Sequence, residues 1–441
     1  MITGNNKDWW KHTTIYEVYI RSFKDSNGDG VGDLKGIQSK LDHFEDLGIE
    51  TVWITPFYKS PMNDLGYDVM NYTDIDPLYG TMEDFDELLN DMNERGLKLI
   101  VDFVINHSSD QHPWFKKSID RIEPYTDFYV WANPKGFDES GNPLPPNDWL
   151  SIFGGCAWKW NSKRKQFYLH QFAEKQPDFN LRNSALKAEL KRILKFWLDK
   201  GAVGARLDAT KHFIEDLELR DEPLLKKSLN KTIITWYDID HRYTLDLWES
   251  YEFIHELRDF VDRNCSSTND EKILITEAYT DFKHTIMYYG KQGYNIAHFP
   301  FNFGFFDWTS FPSPRMMDTT IKRWLKHMPK NGVANWQIEN HDNFRVGNRF
   351  SIEFMDIMTM TILTLPGIAC IYYGQEIGMM DHNVRPDQIR DPNNNAHIPP
   401  TTRDLERLPM QWDDSLNAGR NSHGMRISNL AILALPELTL G

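Results

Sequence analysis

Residues 98–107 read Lys-Leu-Ile-Val-Asp-Phe-Val-Ile-Asn-His. An apolar, β-branched run of this length reads as a buried strand, and its end carries groups capable of chemistry: Asp102, Asn106 and His107. Working outward, three further runs end the same way. VGARLDA (203–209) closes on Arg206 and Asp208, KILITEA (272–278) on Glu277, and VANWQIENHD (333–342) on His341 and Asp342. Four more runs of the strand type stand at 14–20, 51–57, 296–302 and 368–374. That makes eight, with helix-like segments between most of them, including 81–95, 184–200 and 352–364. The alternation predicts an α/β fold, a (β/α)8 TIM barrel, in which the C-terminal ends of the strands converge on one mouth.

The stretch from 107 to about 180 is too long for a plain βα connection and is rich in Pro, Trp and Tyr. It reads as a small domain inserted after the third strand. The expected organisation is barrel over 1–106, inserted domain over 107–180, barrel again over 181–419, and an atypical C-terminal tail over 420–441.

The net charge of −15, from 49 basic and 64 acidic residues, argues against a nucleic-acid partner and fits a small neutral ligand. Three cysteines (Cys156, Cys265, Cys370) give no disulfide framework, and leave one bridge or none. No apolar run is long enough to span a membrane, and the start, MITGNNKDWWKH, lacks the apolar region of a signal peptide. Glycosylation patterns begin at Asn71, Asn106, Asn230 and Asn264, with Asn106 expected to be buried in the barrel mouth. Composition sets no oligomeric state.

Each acidic ending has two readings alone. Asp208 stands two residues after Arg206, on the same strand face, where the guanidinium keeps it ionised; this suits a nucleophile and equally a structural ion pair. Glu277 fits a general acid or a neighbour of a helix cap, and Asp342 a catalytic acid or a turn. Four such endings on separate strands favour joint chemistry. Two carboxylates flanking a glycosidic bond, about 5–5.5 Å apart, act as nucleophile and acid and retain the anomeric configuration. A second motif runs Asp25, Asn27, Asp29, Val31, Asp33, with glycines between. Alternating oxygen donors suit Ca²⁺ in a loop outside the EF-hand class, since position twelve lacks the EF-hand glutamate; an Asx-rich turn that binds nothing is the alternative.

Together these segments resemble the signature regions of glycoside hydrolase family 13, the α-amylase family, with insect maltases (its α-glucosidases) as the nearest match. The likeness runs from DWWKHTTIYEVYIRSFKDSNGDGVGDL through GYDVMNY, DFVINHSS, ITEAY and ENHDNFRV to PMQWDDSLNAG. It implies Asp208 as nucleophile, Glu277 as acid/base and Asp342 as transition-state stabiliser. Arg206, His107 and His341 would line the glucose subsite, and Tyr67 and Asp68 with Arg403 would close off a non-reducing end, Asp68 pairing with Arg403. QPDFN (176–180) and Ala209 resemble the α-1,4-preferring branch, and the 25–33 loop its calcium loop. Secretion or an extracellular face is implied too. Departures stand beside the likeness. Val203-Gly204-Ala205 replaces Asp-Gly-Phe, a change expected to loosen the sheet around Asp208. Ile105 replaces a proline and Leu408 a threonine. The likeness stops after Gly419, so the family's C-terminal β-sandwich is expected to be missing and apolar barrel surface exposed. KHFIEDLELRDEP (211–223) also resembles the heavy-chain glycoproteins of amino-acid transporters, which carry a similar barrel without catalysis.

Overall fold

Eight strands pair in parallel in one sheet in a computed structural model that describes residues 8–228, 230–265, 271–291, 293–395, 402–414 and 416–419. The tail over 420–441 lies outside the described residues. In chain order the strands are β1 (Thr14–Val18), β2 (Thr51–Ile54), β3 (Lys98–Phe103), β4 (Gly204–Leu207), β5 (Ile273–Thr276), β6 (Phe299–Pro300), β7 (Asn335–Trp336) and β8 (Ile368–Tyr372). Their order around the sheet is β6-β5-β4-β3-β2-β1-β8-β7, the wheel of a TIM barrel. All eight fall inside the runs read from sequence.

Between β6 and β7 side chains replace the ladder. Asn302 N–H donates to Asn335 Oδ1 at 2.9 Å, Asn302 Nδ2 to the Asn335 carbonyl at 3.0 Å, and Asn335 Nδ2 to the Pro300 carbonyl at 2.6 Å. Asn335 is wholly buried, so its amide has no water to turn to, and the seam satisfies it. The strands there are two residues long, not seven as the apolar runs suggest, because the chain leaves the ladder to make these bonds.

The barrel is wrapped by helices that include α1 (Met82–Glu94), α2 (Ser184–Lys200), α3 (Trp248–Asn264), α4 (Pro314–His327) and α5 (Ile352–Thr364). α1 starts on a capping box between Thr81 and Asp84. α2 starts on Asn183 and stops at Gly201, whose φ of +124° a side chain would strain. Its Trp197 is fully buried against Phe57 and Phe85, and its indole donates to the Tyr72 carbonyl at 2.8 Å. On α5, Ile352, Ile357, Met360 and Leu363 are exposed.

Residues 107–180 carry their own small sheet, with Gln166–Leu169 between Trp131–Ala132 and Trp158–Asn161, and a separate apolar cluster around Trp149, Trp158 and Phe167. β4 pairs with β3 and β5 along its whole length. The pairing is continuous across Gly204 and Ala205, where the family's Asp-Gly-Phe is replaced. Gly204 lies so close to β5 that a Cβ there would meet Ile273 at 2.5 Å. Among the described residues the three cysteines are free, and no helix is long and apolar enough to cross a membrane.

Candidate active site

Register places the first charges. Arg206 on β4 stands opposite Asp102 on β3 and Ile275 on β5. Its Nη1 donates to Asp102 Oδ1 at 3.0 Å and to Asp208 Oδ1 at 2.5 Å, while Nη2 faces Glu277 Oε2 at 3.6 Å. One buried guanidinium therefore touches three carboxylates from three strands. Its plane lies over Trp53 and Tyr67. With water excluded, a charge this concentrated is tolerable only because it is paired.

Ala209 turns the chain after Asp208. Its φ of +52° is left-handed, unusual for alanine, and the turn aims its N–H at Glu277 Oε2, 2.7 Å away. Burial pushes the Glu277 carboxyl up to about 7; Arg206 opposes this, and Asp208 and Asp342 add to it. A proton-carrying acid near neutral pH thus sits beside a carboxylate gripped by arginine.

Asp342 goes the other way. Burial alone would raise its carboxyl, but His341, Arg403, Arg407 and Arg206 outweigh it and hold the group well below the usual carboxylate range. Arg403 Nη1 and Arg407 Nη2 both donate to Asp342 Oδ1, at 2.9 and 2.8 Å. His341 lies between Tyr19 and Tyr67, both ring-stacked on it, and joins Glu17 Oε1 at 2.5 Å to the Tyr67 hydroxyl at 2.7 Å. The Tyr67 hydroxyl also donates to Asp102. His107 faces the Tyr67 carbonyl and Gln176 Nε2, and burial pushes it down to about 4.

A cavity of about 370 Å³ collects Asp208, Glu277, Asp342, Tyr67, His107, His341 and Arg403. Arg206 lies beneath it, almost wholly buried. Asp68 is the exception. It is fully buried, and its oxygens accept from Ser60 Oγ, the backbone N–H groups of Asn63 and Asp64, and Asn63 Nδ2. The expected Asp68–Arg403 pair is therefore not formed. Arg403 Nη2 donates instead to Asp64 Oδ1 at 3.1 Å and Asp391 Oδ1 at 2.7 Å. The positive φ values at Leu65 and Gly66 turn Asp64 toward the cavity and Asp68 into its own loop. Asp64, Asp391, Arg407 and Glu17 were not singled out from sequence. Arg407 had a signal, since it follows Arg403 by four. Asn106 is buried, as read, at the base of the site.

The 25–33 loop stands apart from the cavity and is closed by its own bonds. Asp25 accepts from the N–H groups of Asn27, Gly28 and Gly30, Asn27 from Asp29, Asp29 from Val31, and Asp33 from Ser26 and Gly36. Among the described residues no three His, Cys, Asp or Glu gather as a metal requires. The carboxylate oxygens of Asp25, Asp29 and Asp33 nonetheless have acceptor capacity beyond these bonds, and oxygen donors are the type a hard cation takes.

Known proteins share this architecture. A family model described as alpha-amylase, catalytic domain, matches residues 17–427. The chain is 45% identical to "Maltase 1" of Drosophila virilis, over 94% of this chain and 66% of that protein. It is 42% identical to "Salivary alpha-glucosidase" of Anopheles gambiae, over 93% and 71%. The human "Amino acid transporter heavy chain SLC3A1" is 40% identical, over 93% and 59%. The chain thus spans about two thirds of these relatives' length. The solved structure of an alpha-glucosyl transfer enzyme, XgtA, superposes with a TM-score of 0.84 at 35% identity, covering 94% of this chain and 77% of that one. With the barrel, the strand-end acids and a match over nearly its whole length, the chain belongs to the alpha-amylase family.

Proposed function

We propose that the protein is a retaining, exo-acting α-glucosidase that releases terminal α-1,4-linked glucose from maltose, sucrose or short oligosaccharides. The observation that carries this reading is the division of labour among three acids around Arg206. Asp208 is gripped by the guanidinium, Glu277 is lifted toward neutral pH, and Asp342 is held ionised by cations.

In this mechanism Asp208 Oδ attacks the anomeric carbon while Glu277 gives its proton to the departing glycosidic oxygen. The C–O bond breaks and a glycosyl ester forms on Asp208. Glu277, now ionised, takes a proton from water, which attacks the same carbon and frees the sugar with its α configuration. Asp342 and neutral His107 face sugar hydroxyls, and Arg403 with Asp64 ends the pocket. The retained acids favour this reading over a non-catalytic, heavy-chain-like barrel. The names of the salivary relatives support secretion. We propose calcium for the 25–33 loop as a structural ion, with no catalytic step through it.

The test is glucose release from maltose and sucrose by the purified protein, with the first-formed anomer read by NMR. β-Glucose appearing first overturns retention, and no release from either sugar overturns the glucosidase.

A further inference from the structure

A second cavity, of about 400 Å³, is lined by the chain just after β1 and by residues from 382–390 and 404–409. Tyr19 and Arg407 line it, and neither lines the catalytic cavity. Both nevertheless touch the residues of the first site. Arg407 Nη2 donates to Asp342 Oδ1 at 2.8 Å, and its Nε donates to the His341 carbonyl at 2.6 Å. The Tyr19 ring stacks on the His341 imidazole, with centroids 6.0 Å apart and planes 18° apart. These two side chains form a partition between the cavities.

The partition carries two donors with nothing to donate to. Arg407 spends Nε and Nη2 on the catalytic side. Among the described residues neither its Nη1 nor the Tyr19 hydroxyl has a hydrogen-bond partner. Tyr19 is 3% exposed and Arg407 5%. A buried donor left unpaired is costly, and native interiors leave few of them. A guanidinium can only donate, so two such groups on one wall call for an acceptor inside the cavity. Arg407 is also held in place, since Ser22 Oγ donates to its carbonyl at 2.5 Å.

Charge decides which acceptor. Four arginines line the cavity, Arg21, Arg385, Arg390 and Arg407, against one carboxylate, Asp404. Asp404 is already engaged: its Oδ2 accepts from the N–H groups of Arg390 and Asp391 and from Thr402 Oγ1. Arg385 pairs with Asp387. The guanidinium of Arg390, an exposed residue, donates to the backbone carbonyls of Asp387 and Ile389 and forms no ion pair among the described residues. A buried cation, a buried hydroxyl and a cationic rim favour an anion over water or a neutral sugar.

We propose that this second cavity binds an oxyanion, a carboxylate or phosphate group, which accepts from Tyr19 Oη and Arg407 Nη1. Arg390 stands at the rim and draws the ligand in. The site is separate from the sugar pocket and does not rest on the glucosidase reading.

The test titrates sulfate, standing for a phosphate group, and acetate, for a carboxylate, into the purified protein by calorimetry. Ionic strength is fixed with sodium chloride. Calcium is held constant, because Gly30 and Val31 of the 25–33 loop border the cavity. At least one oxyanion should bind over the chloride background, one ion per chain, and the tighter of the two names the ligand class. Tyr19→Phe keeps the ring on His341 and removes the hydroxyl. Arg390→Gln changes an exposed rim residue and should leave Tm unchanged. Each variant should weaken binding about tenfold, the scale of one hydrogen bond to a charged group. No heat beyond the chloride blank from either ion overturns the site. Affinities within twofold of the parent in both variants overturn it too, by placing the bound ion elsewhere.

Discussion

Arg403 Nη2 donates to Asp64 Oδ1 at 3.1 Å, across 339 residues of chain, and the same guanidinium reaches Asp342. The proposed end wall of the pocket is thereby tied to Asp342, the proposed transition-state stabiliser. Asp64→Ala should cut kcat/KM on maltose by about a hundredfold, because it strips a charge-assisted partner from a buried arginine. On maltoheptaose the wild type should give glucose and maltohexaose first. A spread of mid-length fragments would show an open cleft.

Asp68 makes the matching control. Its four accepted hydrogen bonds all come from its own loop, so Asp68→Ala leaves buried donors unpaired. The expected loss is about 1–3 kcal/mol of stability. Denaturant unfolding reads it, and equal losses in kcat/KM for the two variants would return Asp68 to the pocket.

Asp208→Asn should lower hydrolysis at least about a thousandfold, the scale of losing a covalent nucleophile. A variant that keeps a tenth of the activity rules the assignment out.

The proton on Glu277 sets a pH limb. Its carboxyl is raised to about 7 by burial, so the acid form dominates below that value and is lost as pH rises through it. kcat/KM, which reports on the free enzyme, should therefore fall on the alkaline side of about pH 7. Glu277→Gln should flatten that limb along with most of the rate. A profile that rises from pH 6 to 8 contradicts the role.

Calcium is tested on the 25–33 loop by melting. Binding to the folded state alone raises stability, so a chelator should lower Tm and added Ca²⁺ restore it. Coincident curves in a metal-free preparation leave only the Asx turns.

The sequence made the strands legible because each is a β-branched run ending in polar groups, and the barrel then forces those ends together. Asp208, Glu277 and Asp342 could be found that way. Asp64 could not, since it stands only four positions before Asp68, with the positive-φ residues Leu65 and Gly66 between them, and the pattern alone does not say which one faces the cavity. Glu17 was hidden for another reason. It looks like one polar residue in the strand TIYEV, and its partner His341 lies 324 residues away.

The seam at Asn335 gives the barrel an order of opening. Seven of the eight joints between neighbouring strands are backbone ladders; the joint of β6 with β7 hangs on two asparagine side chains. Amide exchange should therefore be fastest in the strands flanking this joint and slowest across β2 and β3 on the far side of the ring, a gradient that mass spectrometry resolves by peptide. Asn335→Ala should steepen it, unzipping β6 and β7 as one unit while the opposite half stays protected.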